Sequence, residues 1–389
     1  MKICACIAEY NPLHLGHLKH IDYMKTVLGA EKIIVVMSGN FTQRGEIAVL
    51  DKFTRARQAI IAGADMVIEL PTVFATANAE IFAKGGVNIV NSLGVCGGLC
   101  FGVESGEKTE YLSLASAMNN ETKEFKKTLK EQLDTGVSLA KAKFNTLSLL
   151  GGKYNESLIG SPNNILGLEY TKALLKLNSC VDIYPMLRDG NHNDTTLKKG
   201  ITSASSIREC LKAGIIKKAK KSIPPFVYKD LSEYPYLFEK LAMAKLVLAS
   251  TEELKSVADC TEGLENRIKA LSKDIFSLDE LVEKVSTKRY TKARIQRIIT
   301  ANLLGIKQEF VNDSINAKLY AKVLAVNSQS MDLIPLLVEN SSIPILTRKS
   351  DVSLLKKTAE ICYQKDVLAN EIYNLITSTK HNENQMIIV

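Results

Sequence analysis

Through the first half of the chain, short apolar blocks alternate with stretches of helical period. Ile3 to Ala8 is an apolar run closed by Glu9, and after the turn marked by Asn11-Pro12 apolar residues recur at Leu18, Ile21 and Met24 or Val27. Lys32 to Met37 reads as a second strand, Lys52 to Ala62 as a helix and Met66 to Leu70 as a strand stopped by Pro71. Asn78 to Leu93 follows as a helix, Leu99 to Val103 as a strand and Val181 to Leu187 as another. This alternation predicts an α/β fold, a Rossmann-like doubly wound parallel sheet covered on both faces, with ligands in the crevice at the strands' carboxyl ends. After Ser222-Ile223-Pro224-Pro225 strand alternation is expected to stop, because helical periods dominate from Leu231 to Leu304 and from Asp351 to Ile376. The pattern therefore predicts a sheet domain over 1–222 and a mainly α-helical domain over 223–389.

The segment Ile7-Ala8-Glu9-Tyr10-Asn11-Pro12-Leu13-His14-Leu15-Gly16-His17-Leu18-Lys19-His20 passes from the first strand through a tight turn into the first helix. Such a passage suits an anion, since the unpaired amides and positive dipole end of the helix face the space beyond the strand. His14 and His17 flank Gly16, which leaves room for a flat base to approach the backbone. Three of the five histidines fall within the seven residues 14–20 behind a predicted strand, more than a chance pair of surface histidines requires.

Composition changes little. With 389 residues, 46% hydrophobic and 24% charged, the chain is an ordinary globular one. The amino-terminal apolar run is too short for a signal peptide or a membrane span, so a cytoplasmic location without a membrane partner is expected. Eight scattered cysteines read as buried reduced thiols; no metal ligands are assigned, Cys96 and Cys100 included. The net charge of +8 permits a polyanionic partner without requiring one.

Several segments carry further chemistry. Ser38 to Glu46 is a polar loop that could be a solvated connection or could close over a ligand. Phe101 to Thr109 lacks the Gly-Lys-Thr triplet of a phosphate-binding loop. Asn163 and Asn164 precede a helix that one of them could cap. Arg188 follows a strand end, where a guanidinium suits phosphate or carboxylate. Glu121 to Ser148 is a charged amphipathic helical stretch with a solvated lysine face. Lys212 to Lys229 and Lys284 to Arg297 each hold six basic residues and no acid. In the second run Lys288, Arg289, Tyr290, Lys292, Arg294 and Arg297 combine charge with an aromatic ring, which suits a looped RNA, though a solvated helix surface would look alike.

The His14-x-Gly16-His17 pattern behind a first strand resembles the signature of the HxGH nucleotidylyltransferase superfamily. Together with Ser38 to Glu46, Gly63 to Pro71, Ser161 to Gly167 and Tyr290 to Arg297, it makes most of the chain similar to the tRNA(Met) cytidine acetate ligase family. The resemblance implies a ligase that activates acetate with ATP, accompanied by Mg²⁺, as acetyl-adenylate. The acetyl group then passes to N4 of the wobble cytidine of elongator tRNA(Met), with no DNA partner.

Carried over residue by residue, it implies that His14 and His17 act on the triphosphate. It places ATP against Ile7 to His20, Gly102, Asn163 and Arg188. It also makes the hydroxyl-rich segment Ile201 to Arg208, with Ser205 and Arg208, a second anion cradle, where capping alone would explain one serine. Residues around Asn191 and His192 depart from the family pattern. Two other functions fit the residues: a nucleotidyltransferase acting on a small phosphorylated metabolite, and a non-catalytic RNA-binding nucleotide sensor.

Overall fold

The computed structural model describes residues 2–137, 139–188, 203–287 and 289–389. Strand β1 (Ile3–Ala8) turns into helix α1 (Leu15–Thr26), β2 (Lys32–Ser38) leads to α2 (Lys52–Ile61), and β3 (Met66–Leu70) to α3 (Ala79–Ser92). Strand β4 (Gly98–Val103) is followed by α4 (Lys108–Asn119), two helices over Lys123–Asp134 and Leu139–Leu149, and α5 (Pro162–Lys176) before β5 (Asp182–Leu187). Helix α6 (Ala204–Lys212) opens the remainder, which includes α7 (Leu237–Leu248), α8 (Leu278–Val285) and α9 (Lys292–Leu304). Strands β6 (Ala321–Val326) and β7 (Ile345–Leu346), helix α10 (Thr358–Thr377) and β8 (Ile387–Ile388) complete it.

The sheet runs β5-β4-β1-β2-β3-β6-β7, with β8 also on β6. Its first five strands are parallel, as the alternation predicts, and β6 lies antiparallel to β3. The strand order reverses between β1 and β4, the place where an open α/β sheet parts to admit a ligand. Here the parting is visible in the register. Strand β1 pairs with β2 over its whole length but with β4 only at Cys4↔Gly98 and Ala5↔Leu99. Meanwhile β4 stays paired to β5 as far as Val103↔Leu187. The two central strands therefore splay apart from Cys6 onward.

Both faces are covered, which is why the strands read as continuous apolar runs. Ile34 and Val36 of β2 face α3, α4 and α5, while Ile33, Val35 and Met37 face α1, α2 and α6. The first of these cores continues without a break into the helical region, through Phe238, Leu246, Ile298 and Tyr373.

One expectation needs correction. Strand formation does not stop after Pro224-Pro225, because β6, β7 and β8 return to the sheet laid down by the first half. Strands β7 and β8 span two residues each, and β6 is a single block in the gap between the two helical stretches, so alternation gives little warning of them. A buried charge cluster ties them in. Lys52 Nζ donates to Glu69 Oε1 at 2.7 Å and to Glu383 Oε1 at 2.7 Å, and Lys322 on β6 reaches Glu69 Oε2 at 3.1 Å. Burial raises the Glu69 carboxyl, but Lys322 and Lys52 outweigh it and hold the group below its usual range. Among the described residues no helix is long and apolar enough to cross a membrane.

Candidate active site

The cleft at the parting of β1 and β4 encloses about 210 Å³. Its floor is the turn between β1 and α1. His14 caps α1, its Nδ1 accepting the Gly16 N–H at 3.0 Å, and His17 Nδ1 accepts the His14 N–H at 3.2 Å. A ring nitrogen that accepts a backbone N–H holds no proton, so each imidazole carries its proton on Nε2 as a donor. The rings stack with centroids 3.8 Å apart, and Tyr10 meets His17 edge-on at 4.9 Å. Burial first, then His14, Arg188 and His20, holds His17 well below the usual imidazole range. His20 contacts Cys100 Sγ at 3.2 Å and is pulled down to about 4, by burial and then by Arg188. Beside them Asn11 is buried, its Oδ1 taken by the Val49 N–H at 2.9 Å and its Nδ2 without a partner among the described residues.

The wall beyond β4 is built around Gly102. A Cβ there would lie 2.9 Å from Arg188 Cδ, so the missing side chain is what lets Arg188 lie across the strand end. The Arg188 N–H donates to Val103 O at 2.8 Å, which extends β5 by one bond. Asn163 lines the cleft and donates to Glu104 Oε1 at 2.6 Å. Its neighbour Asn164 is buried and structural, accepting the Glu104 N–H at 2.8 Å and donating to Ser105 Oγ at 2.7 Å. The cap of α5 is neither asparagine but Ser161.

The third wall comes from the β2–α2 loop and the start of α6. Ser203 caps α6, which leaves Ser205 and Arg208 lining the cleft. Arg208 donates to Asn11 O at 2.9 Å and pairs with Glu46 at 2.8 Å. Gln43 N–H donates to Glu9 Oε1 at 2.6 Å, and burial raises the Glu9 carboxyl despite that bond. Behind this wall the buried Arg55 donates to Glu9 O at 2.6 Å, Ser38 O at 3.0 Å and Leu50 O at 2.9 Å. One side chain thus fixes both loops at the cleft's edge. Phe82, Leu166 and Tyr170 make an apolar flank.

A family described as HIGH Nucleotidyl Transferase matches residues 1–386. A tRNA(Met) cytidine acetate ligase of Clostridium novyi is 35% identical over 97% of this chain and 96% of its own length. The same enzyme name is carried by a protein of Acetivibrio thermocellus, 34% identical over 96% and 94%. The chain belongs to the tRNA(Met) cytidine acetate ligase family. Two crystal structures of Thermotoga maritima TmcAL share the fold over the full length of both chains. One is apo, with TM-score 0.94 and 28% identity, and the other is bound with alpha-thio ATP, with TM-score 0.91 and 26% identity.

For this ligase-family chain, the structure brings most of the nucleotide residues expected from sequence to one cleft. Ile7, Ala8, Glu9, Tyr10, Asn11, His14, Gly16, His17 and His20 line it with Gly102, Asn163, Arg188, Ser205 and Arg208. Pro12, Leu13, Leu15, Leu18 and Lys19 are not among its lining residues. Leu13 is buried in the core and Leu18 packs against it, whereas Lys19 is exposed, as helical geometry requires of alternate faces.

The expected RNA residues are less uniform. Arg289 and Lys292 are open, 58% and 62% exposed, and pair with Glu262 and Glu283. Tyr290 lies under both Arg289 and Arg294, with centroid distances of 5.8 and 5.3 Å. Arg294 is turned onto Asp259 and Glu262. Arg297 is a correction: only 10% exposed and 3.0 Å from Asp259, it is an internal tie and not a surface cation. Its spacing from the buried Ile298 and Ile299 did not reveal that Asp259 would reach it. Lys288, Asn191, His192, Ile201 and Thr202 lie outside the described residues.

Sequence reasoning missed Arg55, Glu104 and the apolar flank of Phe82, Leu166 and Tyr170. Each reads locally as an ordinary helix or loop residue. Gln43 and Arg44 were signalled only by the polarity of their loop.

Proposed function

We propose that this chain activates acetate with ATP and transfers the acetyl group to N4 of the wobble cytidine of elongator tRNA(Met). The observation that carries the reading is the capped α1 terminus with two stacked imidazoles at the parting of β1 and β4, in a chain of this family. An amine does not displace oxide from a carboxylate, so acetate must first acquire a good leaving group. An acetate oxygen attacks the α-phosphorus, the bond to the β-phosphate oxygen breaks, and pyrophosphate departs. Nε2–H donors of His14 and His17, the α1 amides and the unpartnered Asn11 Nδ2 are suited to the charge that grows on the α-phosphate oxygens. Arg188, Ser205 and Arg208 hold the remaining phosphates, and Gly102 and Asn163 the nucleoside. In the second step N4 forms a bond to the acetyl carbon, the carbon–oxygen bond to AMP breaks, and one N4 proton is lost to solvent.

Magnesium fits this site only through the substrate. Among the described residues no cluster of three or more His, Cys, Asp or Glu side chains could hold a metal. The acid lining the cleft is Glu9, already engaged by Gln43. A bound Mg²⁺ would neutralise phosphate charge, carried chiefly by phosphate oxygens and water.

Residues 1–222 hold the nucleotide and 223–389 the tRNA, with Arg289 and Lys292 on the open basic surface. Incubation with ATP, labelled acetate and total tRNA, followed by nucleoside analysis, is expected to yield N4-acetylcytidine. Its absence alongside active ATP–pyrophosphate exchange would refute the acceptor.

A further inference from the structure

A second cavity of about 180 Å³ adjoins the nucleotide cleft. Arg44, Ser205 and Arg208 line both, and the far side is made by Tyr234 and by helices α7, α8 and α9. Its charge is wrong for phosphate. Arg44, Arg208 and Lys212 face four carboxylates, Glu46, Glu209, Glu239 and Asp279. Three of those acids are already neutralised, Glu46 by Arg208 at 2.8 Å, and Glu239 and Asp279 by Lys212 at 2.8 and 2.7 Å. What remains is a polar, nearly neutral chamber with aromatic faces at Tyr234 and Phe238, suited to an uncharged heterocycle.

Arg44 stands out on the shared wall. Among the described residues it makes no hydrogen bond or ion pair, whereas the adjacent Arg208 is tied to Asn11 O and Glu46. Its loop is nonetheless rigidly placed. A Cβ on Gly45 would lie 2.4 Å from the Arg297 nitrogen, so the loop sits flush on α9, and Thr300 Oγ1 donates to Gly45 O at 2.6 Å. A guanidinium carried on a fixed loop, with parallel N–H groups to offer, matches two neighbouring acceptors. Cytosine presents such a pair at N3 and O2, beside its N4 amine. Uracil carries a donor at N3 and would oppose one of the two bonds.

We propose that this cavity receives the acceptor cytosine, with Arg44 reading its N3 and O2 and turning N4 toward the acyl-adenylate in the cleft. The proposal rests on the acetyl-transfer reading above and names where that reaction's second substrate sits. A flipped base entering from the helical side would stack on Tyr234, while the tRNA backbone stays on the basic surface outside.

The test separates the two half-reactions in the full chain. Acetate-dependent ATP–pyrophosphate exchange needs no tRNA, and single-turnover acetyl transfer needs both sites. Arg44→Ala is expected to slow transfer about tenfold to a hundredfold more than exchange, the range for a lost charged hydrogen bond. Tyr234→Ala, outside the nucleotide cleft, is expected to slow transfer about tenfold, as for one lost stacking partner, with tRNA Kd changed less than about threefold. Retained exchange reports that Tyr234→Ala is folded, and a thermal unfolding transition at the wild-type Tm reports it for Arg44→Ala. The proposal is overturned if exchange and transfer fall together in Arg44→Ala, or if Tyr234→Ala transfers at the wild-type rate. Wild-type protein that exchanges but never acetylates cytidine would remove the function itself; wild-type acetylation with indifferent variants would remove only the cavity.

Discussion

The Thr300 hydroxyl donates to the Gly45 carbonyl across 2.6 Å, joining the loop that edges the nucleotide cleft to the helix that carries the basic run. Gly45 has φ +73° and no room for a Cβ against the α9 backbone. Gly45→Ala is therefore expected to destabilise the protein by about 1–3 kcal/mol through backbone strain and displacement of the loop. Thermal unfolding with and without ATP measures it, and an unchanged Tm would contradict the packing.

His14 and His17 each cap the other's stretch of backbone while lining the cleft. His14→Ala and His17→Ala are expected to lower acetate-dependent AMP formation by about a hundredfold or more, the usual loss for one donor to a developing charge. Binding of tRNA is expected to stay within about twofold, since the surface proposed for it lies elsewhere and would act through phosphate contacts. Equal AMP formation in the variants would refute their part in the chemistry.

The two kinds of arginine near α9 should behave differently. Arg289→Ala and Lys292→Ala remove open cations and are expected to weaken tRNA binding, each reducing the salt slope by about 1. Arg297→Ala instead leaves Asp259 with Arg294 alone, through a longer contact of 3.5 Å, and is expected to cost about 1–3 kcal/mol of stability. Filter binding at several salt concentrations, set beside urea unfolding, tells them apart. A lower salt slope in Arg297→Ala at unchanged stability would reverse the assignment.

Two imidazoles give the fold a pH dependence. His20 is held at about 4 and His17 well below 6.5, both chiefly by burial. An unfolded imidazole binds its proton near 6.5, so below that pH the unfolded chain holds more protons than the folded one. The stability tied to these neutral rings is complete above pH 6.5 and is lost as pH falls toward 4. Tm is expected to decline through that window, less steeply in His20→Gln. Thermal unfolding between pH 4 and pH 7 reads this directly, and a Tm that stays level across the window would count against it.

Much of the geometry of the β1–β4 cleft was legible because it is local. A strand, a turn and a helix start within fourteen residues put His14, Gly16 and His17 at a dipole end, and the alternation of apolar blocks set the parallel order that parts there. Gly102 was legible as a close approach, but the group that exploits its missing Cβ, Arg188, comes from the next strand. Arg297 was misread because an exposed-looking basic run does not show that Asp259, 38 residues earlier, folds back against it.

What the chain determined by itself is short-range: which segments are strand or helix, which faces are apolar, and which turn presents two imidazoles. Tertiary structure decided everything that depends on segments far apart meeting. It brought β6 to β3, set the buried Lys52, Glu69, Lys322 and Glu383 cluster between them, and closed a second chamber beside the cleft. The physical reason is that backbone periodicity acts over a few residues, whereas burial of a charge or placement of a free guanidinium depends on which partners the whole fold delivers to it.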